Sequence, residues 1–340
     1  MNRLGQSLMR IAAIQSDGSL AVEERPIPTI GNGELLLQVM ACGLCGTDIL
    51  KFQKRNLPSG TVLGHEVAGI VVEVRSEKGF AKGDRVLVAH HVPCGQCHYC
   101  RHGSVSMCEQ FKKTNLDPGG FAEFLRIPAK HVQNTALKIP ESLSFEEASF
   151  AEPLACCVRA FQRSELLKGD SILVVGLGSI GLMLVQMFVA YGMKVSATDL
   201  MPERCDLAQK FGASLFDSKT RPTSKFDMVM LTAGNPPLLT QTLEWVRSGG
   251  TIHFFSSLSA EGPIPFDFNQ VYHRELKLLS TYSSSPDSLK EALKLLTEQK
   301  VQVKDLITLR SSLEELGVAV SQALSRKTLK AVIYPQRGKL

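Results

Sequence analysis

The run Gly176-Leu177-Gly178-Ser179-Ile180-Gly181 stands between an apolar stretch, Ile172-Leu173-Val174-Val175, and a helical pattern from Ile180 to Tyr191. Glycines alone are a weak signal, because glycine-rich turns are common. Between a buried-type strand and a helix they dictate a tight strand–turn–helix. Gly176 permits the turn, Gly178 lets backbone approach a pyrophosphate, and Gly181 lets the helix pack closely on the strand. The helix start offers unpaired N–H groups and the positive end of its dipole to phosphates. Gly176, Gly178, Ser179, Ile180 and Gly181 are therefore candidate dinucleotide contacts. Asp199 ends the next strand, Lys194 to Thr198, where a carboxylate binds both ribose hydroxyls and repels a 2′-phosphate. That favours NAD over NADP. Arg204 can stack on the adenine, or be a solvated helix charge.

The surrounding pattern fits this turn. Strands and helices alternate from Phe145 onward, with Ser144 and Glu147 spaced as a capping box. A helix is expected over Pro202 to Phe211, and strands at Phe226 to Leu231, Thr251 to Phe255 and Leu276 to Leu279. Such alternation implies parallel strands joined by right-handed crossovers, a doubly wound sheet. Residues 10 to about 150 read differently, as short strands such as Leu35 to Met40, Val67 to Val74 and Arg85 to Ala89. Helical periodicity is scarce there, so an all-β, barrel-like unit is expected. The tail adds helices over Pro286 to Glu298 and Ser312 to Leu324, then a strand Ala331 to Tyr334. Two cores are the default for 340 residues.

Nine cysteines bring metal chemistry into view, because they cluster. Cys94, Cys97, Cys100 and Cys108 put four thiols in one short loop, enough to satisfy tetrahedral zinc completely, as structural sites do. An iron–sulfur cluster is the weaker reading, since no proline follows Cys108. His98 and His102 read as exposed loop residues. A second constellation is scattered: Cys45, His65 with Glu66, and Glu152. One thiolate, one imidazole and one or two carboxylates leave a position open, as catalytic zinc sites do. Cys42, Cys156, Cys157 and Cys205 read as buried thiols.

Composition excludes other classes. A net charge of +5 without a basic run gives no nucleic-acid footprint, and no apolar run approaches the ~20 residues of a membrane span. Residues Met1 to Met9 carry no signal-peptide pattern, so a cytoplasmic location is expected.

Together the Cys45 turn, Gly64-His65-Glu66, the four-cysteine lobe, Gly119-Gly120-Phe121-Ala122-Glu123, Glu152-Pro153-Leu154 and the Gly176 turn resemble the zinc-containing medium-chain dehydrogenase/reductase family. The polyol (sorbitol-like) and threonine dehydrogenase branches are the most similar. The resemblance implies an α/β chain with a GroES-like β-rich catalytic domain over 1–150, a Rossmann NAD-binding domain over 151–285, and a return to the catalytic domain over 286–340. It implies two zinc ions per chain, NAD, a small-molecule alcohol substrate and a homodimer or homotetramer. By the same resemblance Cys45, His65 and either Glu66 or Glu152 would hold the catalytic zinc; Thr47 would take the substrate's hydroxyl proton by hydrogen bond and pass it outward; and hydride would pass to a nicotinamide whose carboxamide meets backbone near Phe255 to Ser257 and around Thr281. One departure stands out: Leu50 occupies a position where many relatives carry a relay histidine, which makes the pocket less polar. Alternatives are an NADP-dependent or threonine-type dehydrogenase of the same fold, and a non-catalytic NAD-binding protein.

Overall fold

A computed structural model describes residues 7–54, 56–220, 224–234, 236–257, 263–336 and 338; residues 1–6 of the opening segment lie outside these. The chain divides into two compact units, one comprising Met1–Ala155, Ser285–Thr297 and Val303–Leu340, the other Cys156–Ser284 and Glu298–Gln302.

The first unit is built on the strand Leu35–Gly43, most of whose residues are buried. It pairs antiparallel with Glu66–Val74 along nearly its whole length, with Phe124–Ile127 near its start, and with Lys330–Tyr334 at its end. Ile307–Ser312 flanks Lys330–Tyr334, and Arg85–Val88 and Ala136–Lys138 complete the sheet beyond Glu66–Val74. A separate hairpin, Leu8–Ile14 with Leu20–Pro26, packs Ile11 and Ala13 into the same core as Leu37, Val39, Val71, Phe121, Leu125 and Ile333.

The all-β expectation needs correction here. A nine-residue helix, Gly46–Lys54, follows the central strand. Its helical signal is faint because only Asp48 is fully buried, with Ile49 and Phe52 packing in part. In the tail, Ile307–Ser312 is a strand and the helix is confined to Leu316–Leu324. The strand alternates only loosely, Ile307 and Ser311 being its buried residues, so period two is hard to see. The capping box at Ser144 forms: the Glu147 amide donates to Ser144 Oγ (3.2 Å) and the Ser144 amide to Glu147 Oε2 (3.0 Å).

The second unit is a six-stranded parallel sheet. Its spatial order is Ser214–Leu215, Lys194–Thr198, Ser171–Val175, Phe226–Leu231, Val246–Phe254, Lys277–Ser280. Counted within the unit this is 3-2-1-4-5-6, the doubly wound Rossmann order, whose ligand crevice opens where the winding reverses beside the first strand. The glycine turn leaves that first strand. Among the described residues no helix is long and apolar enough to cross a membrane.

Candidate active site

The end of the central strand delivers Cys45 to the start of helix Gly46–Lys54, and the neighbouring strand opens with Glu66 directly after His65. The ligand atoms of Cys45, His65 and Glu66 all lie within 4.8 Å of one another. Gly64, at φ +88°, makes the approach possible: a Cβ there would stand 2.9 Å from the Phe121 amide nitrogen and 3.0 Å from Cys42 Sγ.

Behind these groups sits Asp48, which sequence reasoning missed. It is buried, its Oδ1 lies 3.2 Å from His65 Nδ1, and it accepts amide hydrogen bonds from Cys45 (3.3 Å) and Gly64 (3.4 Å). The spacing Cys45-x-x-Asp48, a carboxylate one helical turn from the thiol, was the available signal. With Nδ1 engaged by Asp48, Nε2 is the ring nitrogen left to bind a metal. The Thr47 amide donates to Cys45 Sγ at 3.4 Å.

Electrostatics favour a cation in this cluster. Burial pushes the His65 imidazolium down, but the Asp48 carboxylate and the Cys45 sulfur outweigh it and hold the ring well above the ordinary histidine range. Burial also pushes Asp48 up, and His65 with the Cys45 and Gly64 amides more than reverses this. Glu152, in the first turn of helix Ala151–Gln162, is not among the atoms within 4.8 Å. It lies 3.9 Å from His90 Nδ1, and its carboxyl is pushed up to about 7 by burial, with Glu66 adding and His65 opposing. His90 stacks on His65, with ring centroids 4.4 Å apart. A second missed residue is Lys330, whose Nζ pairs with Glu66 Oε2 in full burial. Burial pushes its ammonium down, yet Glu66 and Cys45 keep it above the ordinary lysine value. Thr47 is exposed, and so is Leu50.

In the four-cysteine lobe all four Sγ atoms lie within 4.8 Å of one another, and none is in a disulfide. Cys97 and Cys100 are 3.5 Å apart, and Cys94 and Cys100 3.9 Å. Four thiolates at the ~2.3 Å zinc–sulfur distance of a tetrahedron would stand about 3.8 Å apart, so the set fits zinc. Amides of Cys94 and Cys97 donate to Cys108 Sγ and Cys94 Sγ. Despite burial, which raises it, the Cys108 thiol is drawn down to about 6 by the Cys94 and Phe111 amides, which favours the thiolate a metal needs. His98 and His102 are exposed and outside the set.

In the second unit the glycine turn has the shape a dinucleotide needs. Gly176 sits at φ +93°, and a Cβ on Gly181 would fall 2.0 Å from the Gly176 carbonyl oxygen. The Cβ side of Gly178 is open, and no side chain caps the twelve-residue helix Ser179–Ala190. Ser179 and Ile180 form its first turn. Asp199 is tied to this turn: Oδ2 accepts from the Leu177 amide (2.5 Å) and Oδ1 from the Met201 amide (2.9 Å). Arg204 lies in the first turn of helix Pro202–Lys210. The Thr281 hydroxyl is engaged with His253 Nε2 at 2.9 Å.

Comparison with known proteins agrees with the fold. Residues 31–141 match the alcohol dehydrogenase GroES-like domain, and residues 179–298 the zinc-binding dehydrogenase family. Sorbitol dehydrogenase of Bacillus subtilis (strain 168) is 32% identical over 351 residues, covering 97% of this chain and 98% of that one. L-threonine 3-dehydrogenase of Pseudoalteromonas atlantica is 30% identical over 291 residues, covering 80% and 84%. Among solved structures, one assigned as a zinc-binding dehydrogenase from Sinorhizobium meliloti 1021 bound to NADP has a TM-score of 0.87 at 28% identity, covering 97% and 100%. The chain belongs to the zinc-binding dehydrogenases, oxidoreductases that act on CH–OH groups and bind NAD(P).

Proposed function

We propose that this protein is an NAD-linked dehydrogenase of secondary alcohols or polyols, with a catalytic zinc at Cys45 and His65 and a structural zinc at Cys94, Cys97, Cys100 and Cys108. The convergence of Cys45, His65 and Glu66, backed by Asp48, is the observation that carries this reading. Glu66 and Glu152 are the two candidates for the third protein ligand. Zinc held at this set would supply Lewis-acid chemistry to a substrate hydroxyl. The chain's own residues do the rest. Asp48 fixes the tautomer and orientation of His65, the Thr47 amide steadies the Cys45 sulfur, and the Thr47 hydroxyl accepts the substrate's hydroxyl hydrogen bond while passing its own proton outward to solvent. The Gly176 turn and the first turn of the Ser179–Ala190 helix hold the pyrophosphate, Asp199 holds the ribose hydroxyls, and Arg204 packs on the adenine.

Asp199 supports NAD over NADP, since its charge opposes a 2′-phosphate. The relatives suggest sorbitol-like polyols and 3-hydroxy amino acids as the first substrates to try; apolar, exposed Leu50 weighs toward the less polar of them. The strand Lys277–Ser280, at the edge of its sheet among the described residues, supports a homodimer formed by pairing of sheets. Cysteines held outside disulfides fit a reducing, cytoplasmic setting. Initial rates of NAD and NADP reduction across alcohols, polyols and 3-hydroxy amino acids test the reading. Turnover with NAD that Cys45→Ser abolishes is expected; turnover that survives Cys45→Ser would remove the catalytic metal from the proposal.

A further inference from the structure

Three neighbouring strands meet at one row. Gly43 is directly opposite Glu66 on one side and Val332 on the other. Residues opposite one another across a sheet share a face, and so do residues two apart on one strand. Lys330 therefore lies on the same face as Glu66, two strand spacings across (about 9.6 Å) and two residues along (about 6.6 Å), with Gly43 on the strand between them. The ion pair spans that gap over a residue without a side chain. A Cβ on Gly43 would stand 1.9 Å from Glu66 Oε2 and 2.9 Å from Lys330 Cε. Glu66 is 1% exposed at its side chain and Lys330 5%, so neither charge has bulk water as an alternative partner.

We infer that Lys330 is a positioning residue for the metal site: reaching across the bare face of Gly43, its ammonium holds the Glu66 carboxylate beside Cys45 and His65. The inference rests on a metal ion sitting at that set. Asp48, His65 and Glu66 are buried together, and a carboxylate that loses its ion-pair partner there is no longer held toward Cys45 and His65 and can turn to another donor. That change weakens the site's hold on a divalent ion. The four-cysteine lobe has no part in the arrangement and serves as an internal control.

The test is zinc release to a chromophoric chelator from purified wild-type protein, Lys330→Met, Lys330→Arg and Gly43→Ala. Wild type is expected to release two zinc ions in separate phases, one of which Cys45→Ser removes. In Lys330→Met that phase should quicken 10- to 100-fold, the range for loss of a group that orients a metal ligand. The four-cysteine phase should not change, and Lys330→Arg should stay near wild type. Removing one partner of a buried pair can unfold a protein. Should Lys330→Met lose both ions together, Gly43→Ala decides, because it keeps both charges and displaces the carboxylate sterically. Selective quickening there supports the inference, and an unchanged phase overturns it. An unchanged phase in a folded Lys330→Met also overturns it, while leaving the metal site standing. A wild type without the Cys45-dependent ion would sink the metal reading itself, and this inference with it.

Discussion

Asp48 and Asp199 each do two jobs, and the jobs can be separated. Asp48 accepts backbone hydrogen bonds from Cys45 and Gly64 while engaging His65 Nδ1. Asp48→Asn keeps one acceptor oxygen, replaces the other with an NH2 group and loses the charge that orients the imidazole. It is expected to lower zinc occupancy of the Cys45 site and kcat/KM by roughly 10- to 100-fold while the protein keeps its four-cysteine zinc; metal analysis with steady-state kinetics checks this. Asp199 steadies the glycine turn through Leu177 and Met201, and its proposed second role is to present charge to the ribose. Asp199→Asn retains an acceptor and removes the repulsion of a 2′-phosphate. Like charges about 4 Å apart cost on the order of 4 kcal/mol near a protein surface, roughly a thousandfold, and solvent and salt screening reduce this, so the NADP/NAD ratio of kcat/KM should rise by about 10- to 1,000-fold. An unchanged ratio would mean that Asp199 does not set the preference.

Elements place these residues, and they differ in how plainly the sequence announces them. The glycine turn was legible because each of its glycines answers a separate steric demand, and its flanking segments carry distinct periodicities. Cys45, His65 and Glu66 were legible as donor types. Asp48 was not, because a single buried acid in a nine-residue helix looks like a solvated charge until the fold turns it inward. Lys330 was hidden for a stronger reason: a lysine heading the apolar run Ala331-Val332-Ile333 reads as a strand end, and its burial is tolerable only through a partner 264 positions away in sequence. The strand Val246–Phe254 carries another such residue. His253 is fully buried between Ser164 Oγ (3.0 Å from Nδ1) and Thr281 Oγ1 (2.9 Å from Nε2). The Ser164 hydroxyl donates to the Ala160 carbonyl, so it can only accept from Nδ1–H, and Thr281 donates to Nε2. Burial drops the ring's pKa to about 4. Its folded-state pKa is thus below the ordinary value of about 6.5, and the unfolded chain binds the proton first. Stability should hold above pH ~6.5 and fall as pH drops toward about 4, by roughly 3 kcal/mol from this group. His253→Gln should flatten that slope in denaturant midpoints measured against pH.

At the scale of the whole molecule, the two units divide the chemistry. The residues proposed as metal ligands lie in the first unit, whose sheet takes strands from both the early chain and its tail. The residues proposed to contact the dinucleotide lie in the second, whose parallel sheet, among the described residues, ends on one side at Lys277–Ser280. Tyr272 and Tyr282 near that edge are largely exposed. Isolated edges of this kind invite pairing, so the protein should sediment at twice its monomer mass, and Leu278→Pro should shift it toward monomer. A wild-type monomer at micromolar concentration would exclude the edge as an interface.

Zinc content by elemental analysis, on wild type and Cys45→Ser side by side, bears most directly on the metal-site proposal. About two ions per chain in the wild type and about one in the variant, with turnover lost and fold intact, is the expected result. Equal zinc in both proteins, or a Cys45→Ser variant that still oxidises its alcohol, would contradict it.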